Sequence, residues 1–339
     1  MKNILLLSFA CGFSFLSQAK ILTVSNNPNS PGQYTSLQTA IDSASNGDSI
    51  YVHGSSTSYG NVTVKKRISL FGTGNMPNKV NTLVSQIGNI SLDTISGISG
   101  GSGTKIMGFN LNRATGYSGS GGTKNILISR NYFISGGTKI TITGTGWTIE
   151  NNIIYPSSIN INNNGNVTIQ NNIFSGSTII TSNQPTVVIS NNIFFGTSPA
   201  FSVLNNAIIA NNIFSGTSPK GTGVNTNTFS NNITYQTAYD TIPFGSNTGS
   251  GNIIAQDPLY TNVLTNAFNY SYDFSLQGTS PGKNAGTDGK DLGAYGGAKP
   301  FVDMTGTPAI PQVNSIVILN PVIQAGDSLK VVIKAKKQN

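Results

Sequence analysis

The sequence predicts an all-β fold: a single-stranded parallel β-helix (solenoid) with an N-terminal amphipathic helix cap and a short C-terminal β appendage. Three observations predict it. The composition is rich in turn formers, the chain repeats itself every twenty residues, and each repeat alternates apolar and polar residues with period two.

Only 9% of the 339 residues are charged, against roughly 25% in typical globular domains. Asparagine is counted 43 times and glycine 39 times. Both are poor helix formers, and both suit tight turns between short strands. The formal charge is +8, part of it from Lys330, Lys334, Lys336 and Lys337 near the end. No basic stripe with interleaved aromatics accompanies it, so no nucleic-acid partner is expected. A mild positive balance serves solubility and tolerates an acidic glycan.

The repeat falls into register on seven asparagines: Asn131, Asn152, Asn172, Asn192, Asn212, Asn232 and Asn252, stepping by 21 and then 20 residues each time. Inside a repeat, Val167 and Ile169, or Val187 and Ile189, alternate with polar residues. β-Branched residues dominate, and turn residues follow within a few positions. About twenty residues of short strands and turns form one rung, and rungs stack ~4.8 Å apart. The expected role of each repeated asparagine is double: a turn residue at positive φ and a member of a side-chain amide ladder. Phe174, Phe194 and Phe214 share one column, expected to stack inward.

Along the chain, residues 1–19 read as a signal peptide. Lys2 opens it, Ile4 to Leu16 is apolar, and Ser17-Gln18-Ala19 offers small residues before a cut at Lys20. The lone cysteine, Cys11, lies inside that run, and Ser8-Phe9-Ala10 is a poor lipid-attachment context. The mature chain then has no disulfide, thiolate metal site or cysteine nucleophile. No later apolar run reaches the ~18 residues a membrane span needs.

Residues 20–48 form the cap. Leu37, Ala40, Ile41 and Ala44 share a helical face, Thr35 or Ser36 can start it, and Asn46-Gly47 can stop it. Residues 49–299 form the solenoid, closed by the glycine-rich stretch 280–297. Residues 300–339 hold a linker with Pro300, Pro308 and Pro311 and two strand-like runs, at 315–319 and 329–333. Two strands are too few for an independent domain.

These features resemble the right-handed parallel β-helix proteins of the pectin-lyase-like superfamily, in particular secreted bacterial, Bacteroidetes-type members. YTSLQTAIDSASNGDSIYVHGSSTSYGNVTVKKRISLFGTG is similar to an opening segment of that superfamily, the NNIF rungs to its generic repeat, and SPGKNAGTDGKDLGAYGG to a closing motif. The resemblance covers about residues 25–300 and implies a right-handed solenoid. It implies little about activity, since one fold hosts lyases, hydrolases, esterases and adhesins.

Glycoside hydrolysis needs paired carboxylates, and calcium needs an oxygen-rich cluster. Between residues 100 and 250 the only acids are Glu150 and Asp240. No Asp-Asp pair occurs, and the hydrolase signatures of the superfamily are absent. No metal site and no cofactor are expected. Register places Arg130 diagonally from Glu150 on adjacent rungs, with Lys139 eight residues past Asn131. These three are the candidates if the chain is a polysaccharide lyase, a cation serving as base beside a charge-neutralising partner. The alternative is a surface ion pair.

Other features point less far. Gly97-Ile98-Ser99-Gly100-Gly101 spells GxSxG, but that motif needs a histidine partner, and the sole histidine, His53, ends the first expected rung strand. Asp288 and Asp291 are thin for calcium. Lys105, Lys124 and Lys139 fall at different repeat positions and form no ridge. Thr141, Thr143 and Thr145 do not recur on successive rungs, as a flat ice-binding face would require. Tyr132 and Tyr155 are candidate sugar-stacking aromatics, Tyr132 lying in the column of Ile153, Ile173, Ile193, Ile213 and Ile233. That column is expected to be either partly exposed or buried at a corner.

The function expected is that of a secreted or surface protein (extracellular, cell-surface or periplasmic). It is non-catalytic and engages a polysaccharide or cell-surface glycan in binding, adhesion or scaffolding. The runner-up is a polysaccharide lyase using Arg130, Lys139 and Glu150.

Overall fold

The computed structural model describes residues 19–336 apart from 76–81, 95–99, 135–136, 157, 163–164, 177, 182–185, 266–267, 302–311, 321, 323 and 325. Residues 1–18 of the expected signal segment and the GxSxG serine, Ser99, lie outside the described residues. No helix among the described residues is long and apolar enough to cross a membrane.

Ten short parallel strands stack in sequence order to make the first face, from Ile21–Val24 to Thr228–Ser230. The pairing is in register: Val167 faces Val187, and Ile169 faces Ile189. The inward member of each pair is fully buried. A second face is built from Tyr132–Phe133, Ile153–Ile154, Ile173–Ser175, Ile193–Phe195, Ile213–Ser215 and Ile233–Tyr235. A third is built from Thr138–Ile142, Ser158–Ile161 and Thr178–Thr181. Higher up, the strand Asn110–Gly116 pairs with both of these faces, joining them into one bent sheet.

Phe174, Phe194 and Phe214 stack inside with ring centroids 4.6 and 5.1 Å apart and nearly parallel planes. Trp147, the single tryptophan, is fully buried and donates its indole N–H to the Thr123 carbonyl at 2.7 Å. The top is closed by the helix Leu37–Ser43, whose Leu37, Ala40 and Ile41 are buried. The Ser36 hydroxyl accepts the Thr39 N–H at 3.3 Å and so caps its start.

The repeated asparagine pair divides its work, which corrects the expectation that one residue does both jobs. The first of each pair takes positive φ: Asn151, Asn171, Asn191, Asn211 and Asn231, with Arg130 in the same position one rung up. The second forms the ladder. Asn131, Asn152, Asn172, Asn192, Asn212 and Asn232 each donate a side-chain N–H to the next asparagine's Oδ1 at 3.0–3.1 Å, ending on Asn252. Each Nδ2 also donates to a strand carbonyl of the rung above, as Asn172 does to Ile149. The turn sends the first side chain outward and the next one inward, so a single position cannot serve both.

A shorter ladder runs at the opposite corner. Asn227 donates to Asn247 Oδ1 at 3.0 Å and accepts the Ala207 N–H at 2.9 Å. Sequence reasoning missed it, although Asn227 and Asn247 also lie twenty residues apart.

The outer side of the second face is covered rather than open. The isoleucine column is buried beneath Phe195, Tyr272, Phe274, Leu276, Leu292, Ala294 and Phe301. Residues 284–299 run back along the corner and are held by the outward asparagines. Asn231 donates to Ala285 O, Asn211 pairs with Thr287, Asn171 donates to Ala294 O and Gly296 O, and Asn151 donates to Lys299 O. Gly296 is required there, because a Cβ would collide with the Asp291 carbonyl. Beyond it, Gln312–Ile318 and Val331–Lys336 pair as an antiparallel hairpin.

Candidate functional site

Arg130 and Glu150 do meet, as register implies. Glu150 pairs with Ser129 across the strands, and the Arg130 N–H donates to the Glu150 carbonyl oxygen at 3.2 Å. Their side chains line a small cavity of about 280 Å³ with Met107, Ser129 and Lys299. The carboxylate is engaged elsewhere, accepting from Lys299 Nζ at 2.9 Å and from Gln170 Nε2 at 2.8 Å. Burial pulls the Arg130 guanidinium below its ordinary value, and the Glu150 charge opposes this.

Lys139 does not join them. It sits on the third face, where the strand pairing shifts register between Thr138 and Ile140. That bulge turns its side chain inward, leaving it 2% exposed. Its ammonium donates to the Ile134 carbonyl at 2.8 Å and to Asn112 Oδ1 at 3.4 Å. Burial and the nearby Arg113 charge lower its pKa. The three residues proposed for a lyase therefore do not converge. Spacing alone could not reveal this, because one bulged residue reverses a side chain's face.

The aromatic candidates fare differently. Tyr132 is packed under Phe268 and Tyr270, with centroids 5.9 and 5.4 Å away. Burial, with Tyr155 nearby, raises its phenol above the ordinary value. Tyr155 is half-buried and immediately precedes Pro156. His53 Nδ1 lies 3.1 Å from the Ser30 hydroxyl. Asp291 pairs with Lys283 at 2.7 Å, and Asp288 accepts the Lys290 N–H at 3.2 Å. Both acids thus hold the closing loop. Among the described residues no three His, Cys, Asp or Glu side chains cluster as metal ligands.

A long concavity lies on the third face. An open groove of about 960 Å³ runs from Gly137 on one rung to Thr222 four rungs below. At ~4.8 Å per rung it extends about 19 Å. A column of hydroxyls, Thr138, Ser158 and Thr178, lies along it, with Pro156 and Pro199 at the corner and Phe201 beneath. Ser158 Oγ donates to Thr138 Oγ1 at 3.2 Å, and Thr178 donates to the Pro199 carbonyl at 2.7 Å. The lower end carries the exposed Lys220, whose ammonium stands 3.8 Å from the Tyr239 ring centroid. Such a contact is worth about 0.5–1 kcal/mol at an exposed site and fixes where the charge points. No carboxylate is among the described residues that line the groove. The arrangement offers hydrogen bonds, an apolar corner and one cation to an extended ligand. It offers no acid–base pair.

Sequence reasoning missed this groove. Its positions repeat by chemistry rather than by identity: Thr138, Ser158 and Thr178 are followed by Pro199 and Lys220, and the spacing slips as the turn lengthens.

No protein-family model matches the chain, and no curated protein matches it. Among solved structures it is similar to the crystal structure of pectate lyase Pel9A, with 13% sequence identity and a TM-score of 0.42, over 83% of this chain and 97% of that one. The chain's own strand pairing defines an all-β parallel β-solenoid of about eight turns.

Proposed function

We propose that this is an exported protein that binds an extended polysaccharide along the third-face groove without cleaving it, in adhesion or scaffolding. One observation carries the reading: an open groove crosses five rungs, lined by hydroxyls, an apolar corner and Lys220, with no carboxylate among its described lining residues. Sugars offer alternating hydroxyls and apolar ring faces, which such a lining can match. The placement of Lys139 on another face, outside the cavity that Arg130 and Glu150 line, weighs against a lyase built on them. Export is supported by the basic, then apolar, then small-residue order of the first nineteen residues.

The test uses the chain from Lys20 onward. Retention of the protein is measured in gels containing neutral or acidic polysaccharides, while ultraviolet absorbance follows unsaturated products. The reading predicts retention by at least one polymer, weakened in Lys220→Ala, with no rise in absorbance. A robust absorbance signal that disappears in Arg130→Ala or Lys220→Ala would overturn it.

A further inference from the structure

The corner after the second face holds a glycine on three successive rungs and then loses it. Successive rungs place Ser175-Gly176, Phe195-Gly196 and Ser215-Gly216 there, in register. On the next rung the same positions hold Tyr235-Gln236, with Tyr235 paired to Ser215. The three glycines have φ of 58°, 119° and 70°, and Gln236 keeps φ 51°. Glycine adopts that region freely and glutamine does not. Two more non-glycine residues nearby do the same: Ala255 at φ 53° and Leu259 at φ 49°. Strain of this kind concentrates where a side chain is needed for function.

Gln236 and Leu259 line a second concavity, of about 340 Å³, together with Tyr235, Asp257, Leu264 and Gln277 among others. It is far smaller than the groove, and it contains a carboxylate.

We propose that this pocket binds a single sugar ring bearing a free amine, at a site separate from the groove. Charge sets the ligand class, because Asp257 is the one charged residue among the pocket's described lining. The two amide groups of the pocket are partly engaged. Gln236 Nε2 donates to the Tyr235 hydroxyl at 3.0 Å, and Gln277 Nε2 donates to the Tyr260 carbonyl at 2.9 Å. Asp257 accepts the Leu259 N–H at 2.9 Å and stands beside the Tyr235 hydroxyl, pushing that phenol above its ordinary value. Left to a ligand are the rest of the Asp257 carboxylate and, on Gln236 and Gln277, a side-chain carbonyl and a second N–H each. The carboxylate favours a cationic donor, and the two amides can pair with ring hydroxyls in either direction. Leu259 and the exposed Leu264 supply an aliphatic wall for the C–H face of a ring.

The test titrates the chain from Lys20 onward with glucosamine, N-acetylglucosamine and glucose, following saturation transfer and binding heat. Glucosamine should bind about tenfold more tightly than the other two, one charge-assisted hydrogen bond setting the difference. Gln236→Gly restores the glycine of the column, so it should melt no lower than the parent while losing about tenfold in glucosamine affinity. Asp257→Asn should remove the preference for the amine. Lys220→Ala should leave glucosamine binding unchanged even where polymer retention falls, so failure of this site and failure of the groove are distinguishable. No saturation transfer from glucosamine, or unchanged affinity in both Gln236→Gly and Asp257→Asn, overturns the proposal.

Discussion

The main-chain nitrogen of Lys20 lies 2.7 Å from Oδ1 of Asp48, whose other oxygen accepts the Ser45 N–H at 2.8 Å. Asp48 is 3% exposed. It ties the first strand to the turn that ends the helical cap.

Burial alone would raise the Asp48 pKa. Hydrogen bonds from Lys20 and Ser45, with the Lys20 and Lys66 charges, outweigh it and hold the carboxyl below its ordinary value of 3.8. A depressed folded pKa gives stability that is present above 3.8 and lost as pH falls through the folded value. Acid unfolding followed by circular dichroism should therefore be less steep in that window for Asp48→Asn. At neutral pH this variant should lose about 2 kcal/mol. With cleavage after Ala19, the Lys20 nitrogen becomes an α-ammonium facing this carboxylate. The chain beginning at Lys20 should then melt higher with a free amine than with that amine acetylated.

The paired asparagines give a contrast at adjacent positions. Asn172→Ala removes the acceptor of the Asn152 amide and the donor to Ile149 O inside a buried ladder. It should cost about 2–4 kcal/mol. Asn171→Gly keeps positive φ accessible and loses only the bonds to Ala294 and Gly296, costing about 1 kcal/mol. Urea unfolding followed by the fluorescence of buried Trp147 measures both. Equal losses would contradict the division of labour.

The Tyr260 hydroxyl is buried and has no hydrogen-bond partner among the described residues, and burial drives its pKa well above the ordinary value. Its ring packs edge-on against Phe274 at 5.5 Å. Tyr260→Phe keeps that contact and removes the unpaired group, so it should raise stability by about 1 kcal/mol. Differential scanning calorimetry shows this as a higher Tm. A lower Tm would mean that the hydroxyl is satisfied in solution.

Much of the solenoid was legible because rungs repeat. A period of twenty residues fixes which side chains stack, so the Asn131 to Asn252 column, the phenylalanine stack and the Arg130–Glu150 contact all followed from register. The helix face of Leu37, Ala40 and Ile41 was legible for the same reason, from periodicity. What periodicity cannot carry is a contact between distant segments or a local fault. Asn151 meets Lys299 across 148 positions, and it is distant segments, from Phe268 to Phe301, that cover Tyr132 and the isoleucine column. The bulge at Lys139 turned a candidate base inward. The groove arises on the face where the repeat is least faithful, so its hydroxyl column stayed hidden until the strands were in place.

The central claim is that the third-face groove holds an extended polysaccharide. Ser158 stands midway along it, so Ser158→Trp should obstruct it while leaving the core untouched. The decisive measurement is the affinity of this variant, beside the parent chain, for whichever polymer retains the parent. Trp147 burial and Tm serve to confirm that both are folded. The account predicts at least about a tenfold loss, the equivalent of one or two blocked subsites. An affinity equal to the parent's, in a folded variant, would contradict it.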